Sequence, residues 1–304
     1  MAFTAKDVQQ LRERTSCGMM DCKKALTESG GDMDKAIELL REKGLAKQAK
    51  KADRVAAEGV VYACVENGIG VVIEVNSETD FVAKNEQFMD FVKSCAKTVA
   101  KNKPADVDTL LKLQAEGMEG TVEEALRDKV LTIGENIKIR RFVYTEDPAV
   151  TYVHGGGRIG VMVTFETDCA GKEGFEACGK DVAMQVAAIN PLYVDEAAVP
   201  ADVVEKEKEI IRVQISTDEK TKNKPAQVVE KMVSGKIGKY FKENCLVEQP
   251  FVKNGDQTVG QYVAETAKAL GGSIKVKGFT RFEKGEGLEK REDNFAEEVA
   301  GMMK

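Results

Sequence analysis

The sequence contains one histidine, His154, and no tryptophan. This scarcity excludes sites built on several histidines, as many zinc sites are, and leaves few candidates for a general base. The seven cysteines are scattered and include no CxxC pair. We therefore interpret them as reduced thiols, mostly buried as small hydrophobic side chains, in a reducing compartment.

Long apolar segments are also missing. No apolar run approaches the roughly 20 residues that a membrane-spanning helix requires, and the opening stretch MAFTAKDVQQLRERT has no signal-peptide core. We therefore expect a cytoplasmic protein with no membrane partner. The net charge of −6 argues against a general nucleic-acid binder, so we expect no direct nucleic-acid contact.

Motifs of the common enzyme classes are absent as well: there is no Walker sequence, GxSxG or HExxH. GGGRIG, from Gly155, matches GxGxxG, but a dinucleotide site needs a helix after the glycines and a strand pattern, VMVTF, follows here. We interpret the run as a hairpin turn, with His154 beside it as a candidate partner contact. Asp80 and Lys84 could form an acid–base pair, but nothing else supports catalysis. We expect no catalytic residue, no metal, no cofactor and no enzymatic activity.

What the chain does contain begins with three short helical patterns in residues 1–52. Thr4 and Asp7 predict a capping box for the first helix. Asp32 is the expected N-cap of the third helix, Gly44 is its expected end, and a basic helical linker follows to about Gly59. The arrangement resembles a ubiquitin-associated domain.

A possible contact surface lies around the first turn of this module. Met19 and Met20 are either core filler or an adaptable apolar surface, since methionine packs well against a partner helix. The candidate binding residues of the module are Arg12, Met19, Met20 and Lys23.

An internal repeat organises the rest of the chain. IGVVIEVNSETDFVAKNEQF from Ile69 is matched by IGVMVTFETDCAGKEGF from Ile159, and ENIKIRRF from Glu135 is matched by GSIKVKGF from Gly272. We infer two related α+β subdomains, each made of a β-hairpin, helices and a returning strand.

We therefore expect an α+β fold of four parts. These are a ubiquitin-associated-like helical domain at 1–52, core subdomain N at 53–140, core subdomain C at 141–282, and a short C-terminal helical module at 283–304. Subdomain C carries an inserted helical hairpin at about 195–247, which could pack on itself, on a partner or on a second copy. We expect the hairpin to turn these residues inward: Val203, Ile210 and Val213 on its first helix, and Val229, Met232, Val233, Ile237, Tyr240 and Phe241 on its second. In the last part, Phe295, Val299 and Met302 recur at helical spacing.

Phe81 stands among polar residues in what should be a solvated loop, SETDFVAKN. The first copy of the repeat is three residues longer here, since 19 positions separate Ile69 from Phe88 but 16 separate Ile159 from Phe175. Aligning the Thr-Asp pairs places Cys169 opposite Phe81. The fold therefore does not require a phenylalanine at this point, and we predict that Phe81 is exposed for binding.

Five blocks in this order resemble the bacterial elongation factor Ts family: RERTSCGMMDCKKAL, EVNSETDFVAKNEQF, IGENIKIRRF, HGGGRIGV and GFTRFEKGEGLEK. The resemblance covers essentially the whole chain. It implies a protein that is not an enzyme but binds the translational GTPase elongation factor Tu and accelerates the release of GDP. It also implies that the loop Thr79, Asp80, Phe81 and Val82 enters the GTPase near its Mg²⁺ site, and that a homodimer or a 2:2 complex is possible. The alternative is a ubiquitin-like or peptide-binding adaptor that acts through the N-terminal module.

Overall fold

A computed structural model describes residues 3–15, 17–51, 53–221 and 223–289, with the side chains of 45–50 left aside. Helices alternate with small antiparallel sheets, so the expected α+β class is confirmed. The predicted amphipathic stretch with Phe295, Val299 and Met302 lies outside the described residues. In the described ranges, no helix combines the length and the apolar character that a bilayer crossing needs.

Three helices form the N-terminal module: α1 (Ala5–Thr15), α2 (Met19–Glu28) and α3 (Met33–Lys51). The Thr4 backbone N–H and hydroxyl donate to the Asp7 carboxylate, and the Asp32 carboxylate accepts from two backbone N–H groups at the start of α3. Both predicted N-termini are thus confirmed. The core of the module consists of Val8, Leu11, Cys17, Cys22, Ala25, Leu26, Ala36 and Leu40, with Leu131 from outside the module.

The predicted end of the third helix at Gly44 is wrong, because α3 continues to Lys51. Gly44 is an interior helical residue at a close contact: a Cβ placed on it would lie 3.3 Å from Arg127 Cγ and 3.7 Å from Leu131 Cδ2. The glycine lets α3 approach a helix of the core, and the Lys51 ammonium donates to the Gly134 carbonyl at the far end of the contact. The module is therefore packed on the core along one long helix.

The core contains two three-stranded antiparallel sheets. The first consists of β1 (Glu58–Glu66), β2 (Ile69–Ser77) and β3 (Lys138–Thr145), and the second of β4 (Ala149–His154), β5 (Ile159–Thr167) and β8 (Ile274–Glu283). The central strands, β2 and β5, carry the two copies of the repeat. Each has a register shift five residues after its first isoleucine, at Glu74/Val75 and at Thr164/Phe165.

The repeated Ile-Gly pairs mark the contact between the two sheets. A Cβ on Gly70 would lie 2.6 Å from Met162 Sδ, and one on Gly160 would lie 2.4 Å from Val61 Cγ1. Only glycine allows the sheets to approach so closely. Between them lies a small apolar layer of Val61, Ala63, Val72, Met162 and Phe282.

Helices cover the outer face of each sheet. In subdomain N these are α4 (Asp80–Ala83), α5 (Glu86–Asn102), α6 (Val107–Leu111) and α7 (Val122–Ile133). In subdomain C they are α8 (Phe175–Ile189) and α11 (Val259–Ala269), with the short hairpin β6 (Pro250–Phe251) and β7 (Asn254–Thr258) between the insertion and α11. Each set buries its own apolar core against its sheet.

The insertion forms an antiparallel hairpin of α9 (Ala201–Thr217) and α10 (Ala226–Asn244). The predicted apolar stripe of α10 is confirmed, with Val233 and Ile237 buried. The stripe predicted for the first helix, Val203, Ile210 and Val213, is wrong. Ile211 and Ile215 are buried and Val204 is partly buried against them, whereas Ile210 and Val213 are exposed.

After β8 the chain returns to the first sheet and is fastened there by Glu74, a fully buried carboxylate of β2. Glu74 accepts hydrogen bonds from the backbone N–H of Gly285 (2.8 Å), from Arg140 (3.0 Å) and from Arg141 (2.6 Å). Burial alone would raise the pKa of Glu74. The hydrogen bonds from Gly285, Arg141, Arg140 and Asn76 outweigh that effect and hold the pKa below its ordinary value.

Candidate partner-binding surface

Phe81 lies on the short helix α4, immediately after the central strand of the first sheet. Its side chain is 80 % exposed, which makes it the most exposed large apolar residue in the described part of the chain. Val82, the next residue, is buried in the core of subdomain N. The two side chains therefore have different surroundings: Val82 anchors the loop, and Phe81 is presented to solvent.

Two carboxylates fix the backbone just before α4. Glu135, after α7, accepts from the backbone N–H groups of Glu78 and Thr79, both at 3.0 Å, and from the Thr79 hydroxyl at 2.6 Å. Glu78 in return accepts from the backbone N–H of Asn136 at 2.6 Å and lies 3.4 Å from the Arg54 guanidinium. We call Glu78 and Glu135 the carboxylate brace. It ties the loop that leads to Phe81 to the segment that begins β3.

The equivalent place in the second copy corrects the predicted alignment of the repeat. Asp168 accepts from the backbone N–H of Ser273 at 2.6 Å, as Glu78 does from Asn136. Asp168 thus corresponds to Glu78, and Cys169 corresponds to Thr79 and not to Phe81. The three additional residues of the first copy consequently follow this point, in the segment that carries Phe81.

Cys169 also differs from Phe81 in burial, because it is fully buried in the core of subdomain C. A substitution of Cys169 would therefore act on the stability of that core. The expectation that the second copy folds without an exposed aromatic side chain at this loop agrees with its structure.

Asp80 is the first residue of α4, and its carboxylate lies 3.7 Å from the ammonium of Lys84 one helical turn later. Both side chains are largely exposed. An ion pair of this kind contributes little to stability and is easily exchanged for another partner. Asp80 is thus available, beside Phe81, to face a cationic group of a bound protein.

The four candidate residues of the N-terminal module, Arg12, Met19, Met20 and Lys23, line one open groove of about 1060 Å³. Phe3 and Val8 contribute further apolar surface to it. Met19 and Met20 are 56 % and 64 % exposed, so they are not core filler. The lining of the groove combines apolar side chains with charged groups of both signs, the basic Arg12 and Lys23 and the acidic Glu13.

Gln87, in the first turn of α5, connects this groove with the Phe81 loop. It lines the groove of the N-terminal module and also a second groove of about 550 Å³ beside Phe81, which Thr132 and Ile133 of α7 complete. The two sets of candidate residues, distant in sequence, therefore border one continuous surface. Sequence reasoning missed Gln87, because nothing in the periodicity of α5 distinguishes an exposed glutamine at its start.

Comparison with known proteins identifies the family to which the chain belongs. The family model described as Elongation factor TS matches residues 78–286, a range whose first residue is Glu78 of the carboxylate brace. The chain is 50% identical over 306 residues to an elongation factor Ts of Clostridium botulinum (strain Eklund 17B / Type B), with 99% of each chain covered. It is 47% identical to that of Syntrophotalea carbinolica and 48% identical to that of a Nitratiruptor species, with full coverage of both chains in each case. The chain belongs to the elongation factor Ts family.

Membership of the elongation factor Ts family identifies the chain as a factor of translation elongation. Within the described residues, no group of three or more histidine, cysteine, aspartate or glutamate side chains is arranged to hold a metal ion.

His154 lies at the end of β4, where the Arg158 backbone N–H donates to its carbonyl and the ring nitrogen Nδ1 is 3.0 Å from the Tyr152 hydroxyl. Gly155, Gly156 and Gly157 follow, each with a positive φ, so the interpretation of GGGRIG as a hairpin turn is confirmed. In the ranges that the structure covers, His154 lines neither of the two grooves. The structure thus does not bring it together with the other candidate residues.

Proposed function

We propose that this chain is a guanine nucleotide exchange factor that binds elongation factor Tu in the cytoplasm and promotes the release of GDP. The observation that carries the proposal is the presentation of Phe81. An 80 % exposed phenyl group stands on a loop that is fixed by the carboxylate brace and anchored by Val82. Other apolar side chains of the described residues are exposed as well, but Phe81 is the most exposed of them and stands beside a groove of about 550 Å³.

The physical basis of exchange is competition between the factor and the nucleotide. A translational GTPase holds GDP through backbone amides and a lysine at the phosphates and through a Mg²⁺ ion. Coupling between two ligands of one protein is reciprocal. An exchange factor that binds the nucleotide-free GTPase more tightly than the GDP-bound form must therefore weaken the binding of GDP by the same ratio.

The loop Thr79 to Val82 supplies this coupling in our proposal. Insertion of the Phe81 ring requires side chains near the Mg²⁺ site of the GTPase to move, and burial of the ring stabilises the open state by ~2–3 kcal/mol. Asp80, freed from its weak contact with Lys84, adds negative charge near the metal and the phosphates. The Mg²⁺ contacts are lost, the hold on the phosphates weakens, and GDP leaves.

The groove of the N-terminal module is the second contact in this proposal. Met19 and Met20 provide adaptable apolar surface, and Arg12 and Lys23 provide two basic groups beside the single acidic group of Glu13. Such a groove suits an amphipathic helical segment of the GTPase with acidic residues on its polar side. Because the groove and the Phe81 loop border one surface, one partner can engage both at once.

This function includes no bond-making step by the chain itself, so we propose that it is not an enzyme and uses no cofactor. A homodimer, or a 2:2 complex with elongation factor Tu, is compatible with the proposal. Nucleotide exchange as proposed here does not require the hairpin α9–α10. In a homodimer or a 2:2 complex, the exposed Ile210 and Val213 of that hairpin would be the apolar surface available for assembly.

Competition with nucleotide tests the proposal against the alternative of a ubiquitin-like or peptide-binding adaptor. Immobilised elongation factor Tu is incubated with this chain at increasing concentrations of GDP and Mg²⁺, and the retained chain is measured. An exchange factor is displaced as GDP rises. An adaptor that uses only the N-terminal groove is retained equally at all GDP concentrations, and that result would refute the proposal.

A further inference from the structure

The carboxylate of Glu135 makes an unusual set of contacts for a side chain at the end of a helix–strand connection. Its Oε2 atom accepts from two consecutive backbone N–H groups, those of Glu78 and Thr79, and its Oε1 atom accepts from the Thr79 hydroxyl. Thr79 is the residue that precedes α4, and its hydroxyl makes no cap to that helix because it is turned to Glu135. The direction in which α4 leaves the sheet is therefore set by a side chain 56 residues later in the chain.

The internal repeat shows what this position looks like when there is no exposed aromatic loop to hold. The residue of the second copy that corresponds to Glu135 is Gly272, two places before the isoleucine that aligns with Ile137. A Cβ on Gly272 would lie 2.4 Å from Asp168 Oδ1 and 2.5 Å from Cys169 Sγ, so that loop is folded directly onto the glycine. The fold of the subdomain thus does not need a carboxylate here.

The other half of the brace is common to both copies. Glu78 accepts from the backbone N–H of Asn136, two residues before β3, and Asp168 accepts from that of Ser273, immediately before β8, at 2.6 Å in both cases. This shared bond belongs to the fold. The Glu135 contacts are present only in the copy that has the three additional residues and the exposed Phe81.

We propose that Glu135 is a positioning residue for nucleotide exchange, which fixes Thr79 and thereby the orientation of Phe81 before the partner arrives. The inference rests on the proposed function, and it assigns to Glu135 a role separate from that of the loop itself. A loop that is ordered in the free protein does not lose conformational entropy on binding, so its affinity for the partner is higher. Without Glu135 only a fraction of the molecules presents Phe81 correctly, and the apparent affinity is reduced to that fraction of its original value.

The test compares Glu135→Ala with Glu135→Gln, because a glutamine oxygen can still accept from both backbone N–H groups and its amide can donate to the Thr79 hydroxyl. The stimulated release of fluorescent GDP from elongation factor Tu is measured against the concentration of the factor. For Glu135→Ala we expect the half-maximal concentration to rise about tenfold, with the maximal rate unchanged. The half-maximal concentration of Glu135→Gln should lie within about threefold of that of the wild type. Glu119→Ala, at an exposed glutamate of the same subdomain, should have the same half-maximal concentration as the wild type.

Hydrogen–deuterium exchange of the free protein supplies a readout that does not depend on the partner. The amides of Glu78 and Thr79 should exchange faster in Glu135→Ala than in the wild type, while the amides of β2 keep their protection. Faster exchange together with a normal half-maximal concentration would overturn the positioning role. Equal impairment of Glu135→Gln and Glu135→Ala would overturn it too, since the hydrogen bonds would not be the cause.

Phe81→Ala separates this inference from the proposed function. That variant should lower the maximal rate of GDP release, which Glu135→Ala leaves intact. If Phe81→Ala lowers the maximal rate and Glu135→Ala behaves as the wild type, the inference fails and the proposed function stands. If Phe81→Ala releases GDP as fast as the wild type, the proposed role of Phe81 fails and the inference fails with it. If the wild type itself does not accelerate GDP release, the proposed function fails.

Discussion

Replacement of Phe81 by alanine should slow stimulated GDP release without destabilising the chain. The phenyl group is 80 % exposed in the free protein, and truncation of a surface side chain changes the free energy of unfolding by about 0.5 kcal/mol or less. For a chain of this size that corresponds to a melting temperature lowered by about 1–2 °C. In the complex, the same ring contributes ~2–3 kcal/mol if it is buried. The GDP-release rate should therefore fall about 30- to 150-fold.

Two control variants separate the effects on binding and on folding. Phe88, seven residues later on α5, is fully buried, so Phe88→Ala should cost about 3–5 kcal/mol of unfolding free energy and melt early. Leu192 is an exposed apolar residue of subdomain C, so Leu192→Ala should change neither the melting temperature nor the release rate. Asp80→Ala should act in the same direction as Phe81→Ala. Cys169→Ala is unsuitable as a control because that thiol is buried in a core.

The assay is the release of fluorescent GDP from elongation factor Tu at a fixed concentration of each variant, with thermal melts recorded on the same preparations. A Phe81→Ala chain that melts several degrees early would show that the ring supports the fold. One that releases GDP as fast as the wild type would show that the ring does not enter the partner. Either result would refute the reasoning.

The remaining predictions concern stability, the N-terminal module and the hairpin. Because folding lowers the pKa of Glu74, its stabilising contribution is present at neutral pH and is lost as the pH falls below about 4.5 through the folded pKa. The free energies of unfolding of wild type and Glu74→Gln, measured by urea titration, should differ by about 3 kcal/mol at pH 7 and converge in acid. A difference that stays constant with pH would contradict this. Deletion of residues 1–52 should weaken binding to elongation factor Tu and, by uncovering Leu131, lower the melting temperature of a core that still folds; unchanged affinity would contradict the role of the groove. Replacement of residues 200–244 by a Gly/Ser link should leave exchange activity intact, since Tyr193 and Cys245 already pair at the base of the hairpin, and a folded but inactive product would show that the hairpin contacts the partner.

The parts of the fold that depend on local chemistry could be predicted from the sequence. Capping side chains at Thr4 and Asp32 set the starts of two helices, and the repeated Ile-Gly strand pattern predicted two related sheets. The errors arose where local chemistry permits two answers. Gly44 is equally suited to end a helix or to let two helices touch, and only the presence of α7 decides between them.

The hairpin shows the same limit. Its first helix contains the adjacent pairs Val203-Val204 and Ile210-Ile211, so helical periodicity supports two apolar faces that differ by one residue. The facing helix α10 selects the second of them. No pattern within α9 could have made that choice, because steps of 7 then 3 residues and of 7 then 4 residues both keep side chains on one face of a helix.

The exposed residues of the candidate site could be predicted from the sequence, but the residues that border and hold the loop could not. Phe81, Met19 and Met20 stand out because they are large apolar side chains among mainly polar neighbours in the sequence. Gln87 and Glu135 act across space, and no periodicity connects them with the loop they border. The one signal for Glu135 was the repeat, in which its counterpart is Gly272.

The central claim is that binding of this chain to elongation factor Tu opens the nucleotide site of the GTPase. It is tested most directly by loading elongation factor Tu with fluorescent GDP, adding excess unlabelled GDP, and following release with and without this chain at one-hundredth of the GTPase concentration. We expect this substoichiometric amount to accelerate complete release, because each molecule leaves its partner when nucleotide rebinds. Release at the uncatalysed rate, under conditions where a complex of the two proteins forms, would contradict the account.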